Sequence, residues 1–185
     1  MKYFDLFEDL IEYVCMCNVD MTESTDLENI YNELQKRFKA IDNHLQYDKK
    51  SISNILKNLF NQNKTKEKEK ILNYTKEAIV AWIDQLLTDK NTMWENRLQS
   101  KYYKAVRSGD NFYTYLNYLL EAKPDIVKRQ SIQIFYILIC LGFIGNQDHY
   151  KRIESYKNDC FKHVSNQNEY SQDQLKRIHI PHSSY

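Results

Sequence analysis

The chain has 185 residues, of which only 3 are glycine and 2 are proline, whereas these two types make up about 12% of an average protein. Sheets of many short strands need the tight turns that these residues supply, so an all-β fold is disfavoured, and without clustered glycines a Rossmann or P-loop nucleotide site is excluded. The 26 basic and 25 acidic residues leave a net charge of +1, which lacks the basic excess typical of nucleic-acid-binding proteins.

Helical periodicity accounts for the chain, and no stretch alternates as a strand would. The clearest helix carries an apolar seam with spacings of four and three residues, as in a packed bundle, and Thr25 and Glu28 can form a capping box at its start. The seam residues are Leu27, Tyr31, Leu34, Phe38, Ile41 and Leu45. The predicted helices cover about residues 3–17, 25–45, 51–61, 71–87, 93–106, 111–122, 124–141 and 148–164, with 63–70 as a linker or exposed first turn.

These elements predict an all-α fold of seven or eight helices. Gly109 is predicted to follow the end of one helix, Pro124 to begin another, and Gly142 with Gly145 to stop it. We expect a single all-α domain over residues 1–166, followed by a polar tail at 167–185.

The N-terminal sequence and the cysteine content indicate the cellular compartment. The N-terminus lacks the basic region and apolar run of a signal peptide, and the 4 cysteines do not form a disulfide framework, which indicates a reducing cytoplasm. The longest apolar run, residues 134–145, is shorter than the roughly 20 residues of a membrane span, so it is predicted to be a buried helix.

The search for chemistry gives no catalytic motif. The 5 histidines form no H-E-x-x-H pattern, so we expect no enzymatic activity, no cofactor and no metal. Asp84 lies on an otherwise apolar helix, where its carboxylate either needs a buried partner or faces solvent at an edge. A helical metal hydrolase stays open as an alternative that metal analysis would decide.

A tyrosine-rich stretch at residues 102–118 raises the possibility of a protein interface. Phe112, Tyr115 and Leu116 share a helical face with Leu119 and are predicted core residues. Tyr113 and Tyr118 are predicted to lie off that face, where exposed aromatic rings favour partner contacts, although tyrosine also serves as an ordinary half-buried residue.

Residues 135–145 resemble the Y-x-x-L-x-L-G-F-x-G signature of the TssL/DotU (IcmH) family, which comprises inner-membrane components of type VI and type IVB secretion systems. Tyr136 matches the leading aromatic residue, and Leu141, Gly142, Phe143 and Gly145 match the L-G-F-x-G core. In physical terms, Gly142 allows a turn, Phe143 folds back as an apolar plug, and Gly145 permits a second bend.

Upstream residues extend the resemblance over about residues 74–164. Asp84 and Gln85 stand where the family has an Asp-Glu pair, Trp94 precedes a leucine at the family spacing, and Gly109 with Phe112 resembles a G-G-x-x-F motif. Gln85 therefore replaces the usual Glu. The resemblance implies that Trp94, Gly109, Phe112 and the L-G-F-x-G residues hold the fold.

The resemblance also implies a function and a set of partners. It implies two packed helical sub-bundles in a hook, assembly rather than catalysis, a TssM/IcmF-like inner-membrane partner, baseplate contacts, a possible weak homodimer, and a membrane anchor beyond residue 185. Asp84 and Gln85 would face a partner in a cleft, so Asp84→Ala is expected to leave the fold intact. The alternative is a helical adaptor or regulatory protein-binding domain unrelated to secretion.

Overall fold

The computed structural model describes residues 3–20, 26–56, 62–94, 97–103, 108–121, 125–145 and 151–165, without the side chains of 3, 18–20, 47–56, 62–65, 97 and 108. Seven α-helices and no strand occur in these ranges, which confirms the all-α prediction. The helices are Tyr3–Asp20 (α1), Leu27–Leu56 (α2), Gln62–Lys90 (α3), Arg97–Tyr103 (α4), Ser108–Glu121 (α5), Ile126–Cys140 (α6) and Ile153–Ser165 (α7), with a 3-10 turn at Thr92–Trp94.

The boundary between α2 and α3 differs in part from the sequence prediction. The start of the separate helix predicted at residues 51–61 is instead the end of α2, which runs without a break to Leu56. Of the two alternatives left open for the charged stretch 63–70, the helix start is correct and the linker is wrong, because these residues form the first turns of α3. Lys and Glu are good helix formers, so the charged stretch can be helical although it has no apolar face. At the start of α2, Oδ1 of Asp26 accepts hydrogen bonds from the N–H groups of Glu28 and Asn29; Thr25 lies outside the described residues.

Helix boundaries in the second half correct the interpretation of one glycine. Helix α5 begins at Ser108, so Gly109 lies in its first turn and does not follow the end of the preceding helix. The glycines with positive φ are Gly142 and Gly145, which confirms that the chain turns after α6. Asp125 caps the start of α6 by accepting a hydrogen bond from the Lys128 N–H; Pro124 lies outside the described residues.

Helix α3 lies at the centre of the fold. All seven residues from Ala78 to Asp84 are buried, so this part of the helix is covered on every side, as expected for a helix that is apolar all round. It contacts α1, α4, α5 and α6. The Thr75 and Ser131 hydroxyl oxygens lie 2.9 Å apart where α3 meets α6.

The buried apolar residues form one continuous cluster with members from all seven helices. The predicted seam of α2 lies on this cluster, because Leu34, Phe38 and Ile41 are buried and Leu27, Tyr31 and Leu45 pack against it. No helix within the described ranges is long and apolar enough to cross a membrane. The division into two sub-bundles stays a prediction, and the tail at 167–185 lies outside the described residues.

Candidate functional site

Asp84 is the centre of a buried polar contact between α3 and the segment that follows it. Its side chain is fully buried. Oδ1 accepts hydrogen bonds from the Trp94 indole Nε1 at 2.7 Å and from the Leu98 backbone N at 3.2 Å, and Oδ2 accepts one from the Gln99 backbone N at 2.7 Å. Leu98 and Gln99 belong to the first turn of α4, whose N–H groups have no acceptor within the helix. One carboxylate therefore fixes both the 3-10 turn and the start of α4.

The electrostatic setting of Asp84 reflects two opposing effects. Burial penalises the charged form and raises the pKa of the Asp84 carboxyl, while the hydrogen bonds that it accepts from Trp94, Leu98 and Gln99 lower that pKa and offset part of the shift. A buried carboxylate is tolerated when it is hydrogen-bonded in this way. Of the two alternatives left open by the sequence, the buried residue with partners is correct, and the solvent-facing edge residue is wrong.

Gln85, the next residue of α3, holds a different loop. Its Oε1 accepts hydrogen bonds from the backbone N of Ile144 at 3.2 Å and of Gly145 at 3.0 Å, and its Nε2 donates to the Gly142 carbonyl oxygen at 3.3 Å. The amide thus uses its acceptor and its donor on the same short loop. A carboxylate could accept the two N–H groups but could not donate to the carbonyl. We call Asp84 and Gln85 together the double latch.

The loop held by Gln85, residues 141–145, begins with a tight helix end. Gly142 has φ +92°, its N–H donates to the Ile139 carbonyl at 3.0 Å, and the Phe143 N–H donates to the Leu138 carbonyl at 3.0 Å. This pair of bonds defines a Schellman motif, in which the residue after the helix adopts the left-handed conformation that glycine tolerates. The prediction that Gly142 lets the chain turn is confirmed.

The end of the same loop packs against the start of α5. Gly145 has φ +64°, and a Cβ atom placed on it would lie 2.9 Å from the Gly109 carbonyl oxygen. Real Cβ atoms essentially never come so close to an oxygen, so glycine is required at residue 145 for two reasons, its conformation and this close approach. Two glycines of the family signature therefore meet in space.

Phe143 anchors the loop in the core. Its side chain is 1% exposed, and its ring centroid lies 4.4 Å from that of Phe112, which in turn lies 4.6 Å from that of Phe135. Such tilted aromatic pairs add to the stabilisation from burial. The prediction that Phe143 acts as an apolar plug is confirmed.

Tyr113 corrects the prediction for the tyrosine-rich stretch. It was expected to lie off the core face, but it is fully buried, because α7 and the 141–145 loop cover this side of α5. Its ring centroid lies 4.7 Å from that of Tyr156, and its hydroxyl donates to the Ile144 carbonyl at 3.1 Å. Burial raises the pKa of Tyr113 to about 12. Tyr113 therefore acts as a second clamp on the loop.

Tyr118 and Tyr136 lie nearer the surface. Tyr118 is half-buried: its hydroxyl lies 3.5 Å from the Glu67 carboxylate, and the Lys70 ammonium lies 4.2 Å above its ring. Tyr136 is also half-buried, and its ring centroid lies 6.3 Å from that of the partly exposed Phe161. Leu141 caps the end of α6.

Metal ligands do not cluster in the part of the chain that the structure describes, since no group of three His, Cys, Asp or Glu side chains there could hold an ion. His149, His179 and His182 lie outside the described residues. The double latch therefore consists of hydrogen bonds within the protein, and its geometry serves to hold two loops against one helix.

Comparison with known protein families shows which family the chain belongs to. A family model described as "Type VI secretion system protein DotU" matches residues 50–183. The chain belongs to the DotU family. No curated protein and no solved structure was found to be similar.

Membership of the DotU family makes the chain a component of a type VI secretion system and sets aside an adaptor unrelated to secretion. All the candidate residues, from Asp84 to Gly145, fall within the matched range. Sequence reasoning identified these residues but missed their contacts with one another. The one available signal was an aspartate on an apolar helix shortly before a tryptophan, because both need buried hydrogen-bond partners.

Proposed function

We propose that this DotU-family chain acts as an assembly platform at the cytoplasmic face of the inner membrane, where it docks a TssM/IcmF-like partner and the baseplate. The observation that supports the proposal best is the double latch. Asp84 and Gln85 direct their described hydrogen bonds to backbone, indole and side-chain amide groups of the protein itself. A site of this kind gives two loops a fixed shape.

The latched loops carry accessible groups at their tips. Met93 lies beside the latched Trp94 and is 66% exposed, and its backbone is held by a 3.0 Å hydrogen bond from its N–H to Asn91 Oδ1. Gly142 is exposed on the other loop. Methionine is enriched in protein interfaces, and a rigid surface loses little entropy on binding. The tips are therefore suited to bind a protein partner.

The four candidate partner residues then divide into two groups. Asp84, Gln85 and Tyr113 support docking indirectly, because they position the loops. Tyr118 is half-exposed beside Lys70 and is proposed to contact a partner directly. An anchor beyond residue 185 would raise the effective concentration of partners at the membrane, so that weak individual contacts suffice.

A pair of exposed methionines provides the test. Met93→Glu is expected to reduce co-purification of the chain with its TssM/IcmF-like partner when both are expressed together, because a charge would replace an apolar contact. Met16→Glu is the matched control, since Met16 is 62% exposed and lies on α1, to which neither Asp84 nor Gln85 is hydrogen-bonded. Equal co-purification of Met93→Glu and wild type, with equal melting temperatures, would contradict docking through this loop.

A further inference from the structure

A groove between α2 and α4 stands apart from the double latch. It has a volume of about 490 Å³, and its lining residues are Gln35, Lys36, Lys39, Asp42 and Tyr102. This volume is within the range of sites that hold small ligands or side chains of a partner. The groove has a rigid floor, because the Tyr102 ring packs at 5.3 Å from the buried Phe38 ring.

The charges around the groove leave a cationic excess. Lys36 is paired with Glu33 on the same helix, and Asp42 is paired with Lys76 from α3. Lys39 is exposed and makes no ion pair within the described residues. Lys101, the neighbour of Tyr102, donates to the neutral Gln35 at the rim. Two lysines therefore lack a counter-charge.

The groups left available in the groove are hydrogen-bond donors. The Lys39 ammonium and the Tyr102 hydroxyl have no hydrogen-bond partner among the described residues, and Gln35 uses its acceptor oxygen on Lys101, which leaves its N–H₂ group. The one carboxylate among the lining residues is already paired. A site of donors with an excess of positive charge matches a ligand that carries acceptors and negative charge.

We infer that the α2–α4 groove binds a short acidic segment of a protein partner, with partner carboxylates on Lys39 and Lys101 and a hydrogen bond to Tyr102. A protein segment is favoured over an anionic membrane, because recognition of a lipid surface takes a cluster of about four to eight Lys or Arg residues, and here two are unpaired. This inference rests on the proposed docking function, although it concerns a surface separate from the latched loops.

The test uses the full chain and a fluorescein-labelled peptide of alternating Glu and Gly, with the Gln–Gly peptide as the neutral comparison. We expect fluorescence anisotropy to show binding of the Glu peptide that weakens with added salt. Lys39→Glu should weaken it about fivefold, since exposed charge pairs contribute modestly, and Tyr102→Phe, which keeps the ring, about threefold. Lys151→Glu on an exposed site before α7 is the charge-matched control and should bind as wild type does.

Three results would overturn the inference. The first is equal weakening of peptide binding by Lys151→Glu and Lys39→Glu, which would mean that only the net charge of the protein matters. The second is no binding of the Glu peptide, and the third is Lys39-dependent binding to phosphatidylglycerol vesicles without binding of the peptide, which would make the membrane the occupant. The proposed docking function is tested separately, because Lys39→Glu can lose the peptide while Met93-dependent co-purification persists. If Met93→Glu leaves co-purification unchanged while Lys39→Glu weakens peptide binding, the groove proposal is supported and docking through the Met93 loop is contradicted.

Discussion

Replacement of Asp84 by alanine gives the sharpest test of the double latch. The substitution removes the carboxylate that accepts the hydrogen bonds of the Trp94 indole and of the Leu98 and Gln99 N–H groups in a buried site. The structure therefore argues against the expectation, from the family resemblance, that Asp84→Ala leaves the fold intact.

The magnitude follows from the kind of bond that is lost. A hydrogen bond to a charged group contributes about 1.5–3 kcal/mol, but part of this total is recovered, because the substitution also removes a carboxylate that burial disfavours. We expect a net loss of about 3 kcal/mol in the free energy of unfolding. For a chain of this size that corresponds to a fall of about 9 °C in melting temperature.

Thermal unfolding followed by circular dichroism measures the loss, with Asp89→Ala as the matched control. Asp89 is on the same helix and exposed, so its replacement should leave the melting temperature nearly unchanged. Asp84→Asn should fall between the two, since an amide can keep the bonds to one oxygen while its N–H₂ group would face the Gln99 N–H. If Asp84→Ala unfolds at the temperature of Asp89→Ala, the latch contributes nothing measurable and the reasoning fails.

The pH dependence of the same pair provides a second measurement. Because the pKa of Asp84 is raised in the folded state, the folded protein binds a proton at a pH where the unfolded chain is still ionised. The wild type should therefore gain stability relative to Asp84→Asn as the pH falls from neutral toward about 4. The opposite trend would mean that the accepted hydrogen bonds outweigh burial.

Four further substitutions test the loop at residues 141–145 by the same unfolding assay. Gly145→Ala should lower the free energy of unfolding by about 2–3 kcal/mol, because it adds backbone strain and a contact of 2.9 Å with the Gly109 carbonyl oxygen. Gly142→Ala should have the smaller effect, because a Cβ there would meet nothing within 4 Å. A larger loss for Gly142→Ala than for Gly145→Ala would contradict the close approach. Phe143→Asp should unfold the domain, since it buries a charge in an aromatic cluster. An unchanged melting temperature would show that the Phe143 ring does not anchor the loop in the core. Gln85→Glu should lower stability by about 1 kcal/mol, because the bond to the Gly142 carbonyl is lost, and a more stable variant would refute the need for a donor at this position.

The helices were largely predictable because their apolar periodicity is set by packing. The seam of α2 lies on the core as its spacing predicts, and glycine scarcity made Gly142 a dependable helix end. The separate helix at residues 51–61 was mispredicted. The stretch 63–70 was left open between a linker and a helix start, because a run of Lys, Asn and Glu lacks an apolar face although these side chains permit a helix. The periodicity of apolar residues reports burial, so it does not predict a helix whose sides are all exposed to solvent.

The candidate residues were predictable, and their contacts were not. Sequence spacing cannot tell that Gln85 lies against Gly142 and Gly145, which are about 60 residues away along the chain. Tyr113 was assigned to the surface because its own helix was considered without α7, which covers it. Asp84 was assigned to a cleft by resemblance, whereas its hydrogen bonds come from a turn and a helix start that periodicity does not locate.

The hydrogen bonds of Gln85 make two backbone amides into reporters of long-range packing. The N–H groups of Ile144 and Gly145 have their acceptor on α3, so they stay protected from solvent only while the end of α6 remains docked there. In an amide-exchange experiment their exchange should follow the separation of these two helices rather than the fraying of either one. Because the contact joins distant segments, it should also form after the local helices during folding.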